Sequence, residues 1–160
     1  MRWYAISIGN YFNFNGRARR REYWIFLLVY SIMTIVFGAL DIILIAAGIF
    51  PFFIFLSIIA LFHFVPLWSV SVRRLHDIDR TGLWLLSPSF FSIIGWFLLW
   101  VGYSSLSLIW LFTILGFICF FVSFGLQITI FVFMCLDGTK GYNASGPSNK
   151  YDEKGNLLKY

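Results

Sequence analysis

Thr81 to Leu136 is a run of 56 residues without a single Asp, Glu, Lys or Arg. Nothing else in the chain limits its fold so strongly. Tyr23–Leu40 is uncharged over 18 residues, and after Asp41 the stretch Ile42–Val72 adds 31 more. A helix crosses a bilayer with about 20 apolar residues, so the first two runs hold two spans and the third holds another two. Composition agrees. Of 160 residues 60% are hydrophobic and 12% charged, with a mean hydropathy of +0.83. A soluble domain is roughly 45–50% apolar and about 25% charged, and one of this size still exposes about 30% of its unfolded surface. The balance argues against a soluble enzyme, a disordered tail and a disulfide scaffold.

The breaks between spans follow from local chemistry. Gly48-Ile49-Phe50-Pro51 separates the first pair, because Gly ends helices and Pro is tolerated only in a first turn. Gly102-Tyr103-Ser104-Ser105, the least apolar part of the long run, is the expected turn of the second pair. The spans are therefore placed at 23–47, 52–72, 83–101 and 108–135. All 12 Lys and Arg lie before the first span, between the second and third, or after the fourth. Basic segments stay cytoplasmic, so both termini and the Arg73–Arg80 loop are expected inside. A cleaved signal peptide is the competing reading of the start, but the apolar stretch exceeds its usual length of about 7–15 residues.

Ahead of the first span, Trp3, Tyr4, Ile6, Ile8, Tyr11 and Phe12 form a leader too short to cross. Its rings suit the headgroup zone, and Asn15 is the expected N-cap of the helix that follows. Residues 1–147 read as one membrane domain, and 148–160 as a polar cytoplasmic tail. Cys119 and Cys135 sit 16 residues apart on one apolar segment, roughly 24 Å if helical, too far to pair with each other. The net charge of +5 flanks apolar spans, so anionic headgroups are a nearer partner than nucleic acid.

Polar clusters at Gly16–Trp24, Arg73–Gly82 and Asp137–Pro147 all fall at the expected cytoplasmic edge. They gather Arg17, Arg20, Arg73, Arg74 and Arg80 with Glu22, Asp77, Asp79 and Asp137. The plain reading is a salt-bridged collar at helix ends, since a guanidinium takes two carboxylate oxygens at once. The functional reading is a basic pocket for a lipid phosphate or another anion. If helix continues past the second span, Arg73 and Asp77 are i,i+4 partners, leaving Arg74 and His76 to reach Glu22 or Asp137. His76 beside Asp77 would be an oriented imidazole. No nucleophile motif accompanies it and the His and Cys are too few for a zinc site, so no catalytic, cofactor or metal residue is assigned.

Within the spans, His63 lies near the bilayer midplane, where an ionisable group is a functional candidate. The plain reading is a neutral ring hydrogen-bonded to another helix, with Gln127, Thr34 or Ser57 as partner. Pro66 removes a backbone donor and should loosen the second span. Asp41 reads as an acid reaching the outer interface. Thr113, Gly116, Ser123 and Gln127 share a face suited to helix packing in lipid.

The same clusters carry a resemblance. Phe14-Asn15-Gly16-Arg17-Ala18-Arg19-Arg20-Arg21-Glu22-Tyr23-Trp24, then Pro66 with Val72-Arg73-Arg74-Leu75-His76-Asp77 and Arg80-Thr81-Gly82, then Gly138-Thr139, Gly141, Asn143 and Gly146-Pro147 are similar to successive motifs of the bacterial YhaH-like inner-membrane family, domain of unknown function 805. Asp79 stands where the family more often has Gly, and Leu83 where it often has Trp. The first departure adds an acid and removes the residue best suited to a tight turn. The resemblance implies a small multi-spanning inner-membrane protein without implying an activity, and adds Gly16, Gly138, Thr139 and Asn143 to the candidate site.

The expectation is an all-α integral membrane four-helix bundle with a short interfacial N-terminal segment and a polar C-terminal tail. Its leading function is non-enzymatic, with an Arg-rich collar contacting anionic headgroups or a protein partner, and a homo-oligomer left open. The alternatives are a small oligomeric transporter or channel using His63 and Gln127, and a membrane-embedded enzyme.

Overall fold

A computed structural model describes residues 2–49, 52–104, 108–148 and 150. The chain is all-α. A short α1 (Arg2–Gly9) precedes α2 (Arg20–Ala46), α3 (Ile54–Asp77), a 3₁₀ segment at Gly82–Leu86, α4 (Ser87–Ser104) and α5 (Ile109–Cys135). Among the described residues four segments are long and apolar enough to cross a membrane: Arg20–Ala46, Ile54–Asp77, Gly82–Ser104 and Ile109–Cys135. They carry large apolar side chains outward, Leu61 at 77% and Phe121 at 80% exposure among them. Helices that are apolar all round belong in lipid, which leaves such surface at no cost. Phe50, Pro51, Ser105 and 151–160, which include part of each expected turn and most of the expected tail, lie outside the described residues.

By its internal contacts the chain falls into two compact units, one built from the residues up to Asp79 together with those from Asp137 on, the other from Arg80–Leu136. In the first, α2 and α3 form a hairpin and α1 packs on both. Ala18, Phe26 and Val70 are its core, with Tyr4, Ile8, Tyr23 and Leu67 packed around them. Gly48, at φ +70°, closes α2. There the Ile49 and Gly48 amides donate to Leu44 and Ile45 carbonyls at 3.0 Å each, the bonding pattern of a left-handed helix end.

Two expectations for this unit are corrected. Asn15 does not cap α2, whose first residue is Arg20 after an extended Arg19; the Asn15 amide instead bonds Asn13 Oδ1 at 3.1 Å. Arg17 and Ala18 thereby stay out of helix, and the Ala18 amide is free to donate to the Arg73 carbonyl at 3.0 Å. Asp41 does not reach outward. It is buried, and its carboxylate accepts the Phe55 amide at 3.2 Å and the Leu56 amide at 2.7 Å. These are first-turn donors of α3 that lack helical partners, and a carboxylate there also meets the positive end of the helix dipole.

Pro66 sits buried inside a continuous α3. Lacking an N–H, it leaves the carbonyl four residues back without its helical donor. That carbonyl belongs to Phe62, and the Tyr11 hydroxyl donates to it at 2.8 Å.

In the second unit α4 and α5 pack through small residues. A Cβ on Gly95 would come within 3.2 Å of the Gly116 carbonyl oxygen, and one on Gly116 within 3.2 Å of that of Gly95. Ser123 bonds Ser92 and the Pro88 carbonyl at 2.8 Å each. The expected turn at Gly102–Ser104 is instead the last turn of α4. Gly102 is there for contact, since a Cβ would meet that of Phe112 at 2.9 Å. Gly116 and Ser123 face the interface, whereas Gln127 is exposed.

Candidate anion site

The last turns of α3 carry the charges. Helix geometry brings Arg74 to Asp77 three residues on, and Arg74 Nη1 donates to Asp77 Oδ2 at 2.6 Å. Arg17, held just before α2, donates from Nε to Asp77 Oδ1 at 2.9 Å. Asp77 thus lies between two guanidinium groups that are almost fully buried. Arg73 is not its partner. Arg73 points from the neighbouring face of the helix to Glu22, with Nη1 2.8 Å from Oε1. Arg74 likewise goes to Asp77 rather than to Glu22.

The segment after α5 closes the end of α3. A helix C-terminus leaves carbonyls without donors. The Thr139 amide donates to the Asp77 carbonyl at 2.9 Å, and Asn143 Nδ2 donates to the His76 carbonyl and to Thr139 Oγ1, both at 2.9 Å. Arg17 holds the segment from the other side. Its Nη1 donates to the Gly141 carbonyl at 2.9 Å, and its Nη2 to the Thr139 carbonyl at 2.5 Å. Gly138 is required by crowding: a Cβ there would run into the Asp77 carboxylate. Asp79, at φ +59°, takes the left-handed conformation itself, so the tight turn survives without the glycine. Asp is one of the few side chains that tolerates it.

At the rim, Asp137 accepts both from Lys150 Nζ, at 2.8 and 2.7 Å, and from Arg20 Nη2 at 3.1 Å. Burial alone would raise its carboxyl, but the Lys150 hydrogen bonds and the Arg20 charge hold it below the usual carboxylate range.

The structure therefore brings Arg17, Arg74, Asp77, Thr139 and Asn143 into one hydrogen-bonded network in the first unit, with Gly138 against Asp77, the buried Arg73–Glu22 pair on the neighbouring face of α3, and Arg20 at the rim. His76 joins through its carbonyl, while its Nδ1 is buried without a hydrogen-bond partner. Gly16 lines an adjoining cavity. Arg80 belongs to the second unit, exposed, with its guanidinium 5.7 Å from the Phe133 ring. Among the described residues no cluster of His, Cys, Asp and Glu gathers that could hold a metal ion.

His63 takes a partner that its helical neighbours did not suggest. Its Nδ1 lies 2.9 Å from the Ile59 carbonyl and its Nε2 2.8 Å from the Tyr4 hydroxyl. A carbonyl only accepts, so Nδ1 bears hydrogen, and in the neutral ring Nε2 accepts from Tyr4. Thr34 and Ser57 instead donate back to their own helices. Tyr4, Tyr11, Ser69 and Asn10 were missed as polar partners. Ser69 Oγ lies 2.9 Å from the Asn10 carbonyl and 2.6 Å from that of Asn13. The available signal was a buried-face Ser on α3 opposite a polar, Asn-rich leader.

Four lipid-length helices and an arginine-carboxylate network at one end of the first unit define a multi-helix membrane protein. The family described as "Protein of unknown function (DUF805)" matches residues 11–147, and the chain belongs to it. It is 35% identical over 152 residues to "Inner membrane protein YhaH" of Escherichia coli (strain K12), covering 95% of this chain and 99% of that one. It is 32% identical over 152 residues to "Inner membrane protein YhaI" of the same strain, covering 94% and 98%. No solved structure matches.

Proposed function

We propose that this is a non-enzymatic protein of the bacterial inner membrane, with both termini and the Arg73–Arg80 loop cytoplasmic, whose arginine-rich end holds anionic lipid headgroups. The observation that carries the reading is a division of labour among the arginines. Arg17, Arg73 and Arg74 are buried in ion pairs, whereas Arg2 and Arg21, at the starts of α1 and α2, are exposed. The Arg19 guanidinium lies 5.8 Å from the Trp3 ring, which keeps those two helix starts side by side. Exposed cations beside an indole, at the end of a lipid-length helix, suit an anionic headgroup layer. The His63 conduit gains no support, because both ring nitrogens are engaged within the first unit.

The test is lipid retention. The double variant Arg2→Gln/Arg21→Gln touches no buried pair and should purify with less phosphatidylglycerol than the unaltered chain. Equal retention by a folded double variant would sink the reading. Orientation is checked separately, by labelling Lys140→Cys in a Cys119→Ala/Cys135→Ala background: reagent confined to the outside should not reach it.

A further inference from the structure

Beside the ion-pair network lies a polar cavity of about 350 Å³, bounded by α1, the Asn13–Gly16 turn, the end of α3 and the Ser145–Pro147 segment. Asn10, Asn13, Asn15 and Ser145 line it, as do Arg73 and Glu22. Arg73 is the residue that asks for a ligand. It is 4% exposed, its Nη1 is on Glu22, and its Nε and Nη2 are buried without any hydrogen-bond partner. Those two nitrogens share one edge of the planar guanidinium, the edge that receives two oxygens of one oxyanion. A buried charged donor left unmatched is costly, and an anion that Arg73 can turn to from the cavity wall would offset that cost.

We infer that this cavity is a binding site for a phosphate group, toward which Arg73, on its wall, turns its unpaired Nε/Nη2 edge when the group enters. The charge balance permits an anion. Arg17, Arg73 and Arg74 set against Glu22 and Asp77 leave one positive charge, and at the rim Arg20 and Lys150 outnumber Asp137. Phosphate fits better than carboxylate, because both oxygens of a carboxylate held on the fork lie at the fork, and none projects toward the Asn and Ser groups of the wall. A phosphate has further oxygens for them. The group can come from a phospholipid headgroup or from free phosphate. The inference deepens the headgroup reading without depending on it, since free phosphate would fill the same cavity.

The experiment uses the full chain in an uncharged detergent. Inorganic phosphate is titrated against chloride at equal ionic strength, with thermal midpoint and tryptophan fluorescence as readouts. Two variants accompany it. Arg73→Lys keeps the charge opposite Glu22 and loses the planar edge; Asn15→Asp places a negative charge on an exposed position of the wall. The expected result is a saturable rise with phosphate for the unaltered chain, weakened at least about tenfold in each variant, the loss expected for a charged hydrogen-bond pair. If Arg73→Lys does not fold, Asn15→Asp decides. A second arm measures retention of phosphatidylglycerol from nanodiscs with and without that lipid. Phosphate binding with lipid retention indifferent to Arg2 and Arg21 would support this site and overturn the headgroup reading. Lipid retention that depends on Arg2 and Arg21, with identical responses to phosphate and chloride and no effect of Asn15→Asp, would overturn this site alone.

Discussion

The Tyr4 hydroxyl lies 2.8 Å from Nε2 of His63, so a residue of the short leading helix answers the one histidine buried in α3. The rings of Phe26, Tyr30 and Phe62 surround the same imidazole. Tyr4→Phe keeps the packing and removes the donor, leaving a buried acceptor unmatched at a cost of about 1–3 kcal/mol. The midpoint of thermal unfolding in detergent should fall accordingly, and His63→Phe in the Tyr4→Phe background should recover part of the loss. Burial raises the Tyr4 phenol above its ordinary value. The group is neutral in the folded chain, so its contribution is complete below about pH 10 and is lost as pH rises through the folded value.

Gly138→Ala should be among the most damaging single changes in the polar network. The new methyl would collide with the Asp77 carboxylate, which cannot move without leaving Arg17 or Arg74. Breaking a buried pair costs about 3–5 kcal/mol. Hydrogen exchange over 139–146 should quicken by orders of magnitude, and unchanged protection there would refute the close approach.

Asp137 makes the docking of the same segment pH-dependent at its rim. Its carboxyl is held below the ordinary value by Lys150 and Arg20 against the effect of burial. A lowered acid stabilises the folded state fully above its unfolded pKa, near 4, and the contribution is lost as pH falls through the folded value. Asp137→Asn should therefore loosen the segment at pH 7, and the difference from the unaltered chain should shrink as pH falls below the unfolded value and vanish once it has passed the folded one. The pair is exposed, so the effect should be well under about 1 kcal/mol and should shrink in high salt.

Asp79→Gly should stabilise the turn after α3. Asp79 holds φ +59°, which costs an ordinary residue about 1–2 kcal/mol. Glycine removes that strain and gives back part of it as unfolded-state entropy. A net gain of about 1 kcal/mol or less is expected from thermal unfolding, and a loss would mean that the Asp79 side chain has a role of its own.

Charge distribution in the sequence was enough to read an all-α membrane chain with four long apolar helices, because lipid leaves a spanning backbone no other open-ended structure than a helix. It was also enough to nominate the arginine-carboxylate cluster, since charges scarce in such a chain collect where helices end. Pairing inside the cluster was not legible. Spacing favours Arg73 with Asp77 as much as Arg74 with Asp77, and the outcome depended on Glu22 arriving from α2 beside Arg73. The same limit hid Asp41, whose partners are amides 14 and 15 residues away on α3, and Gly102, whose polarity suggested a turn while its size served a helix contact. Helices and their destination in lipid follow from local composition and the solvent. Partners of buried polar groups follow from which helix faces meet, and that is set only when the chain packs.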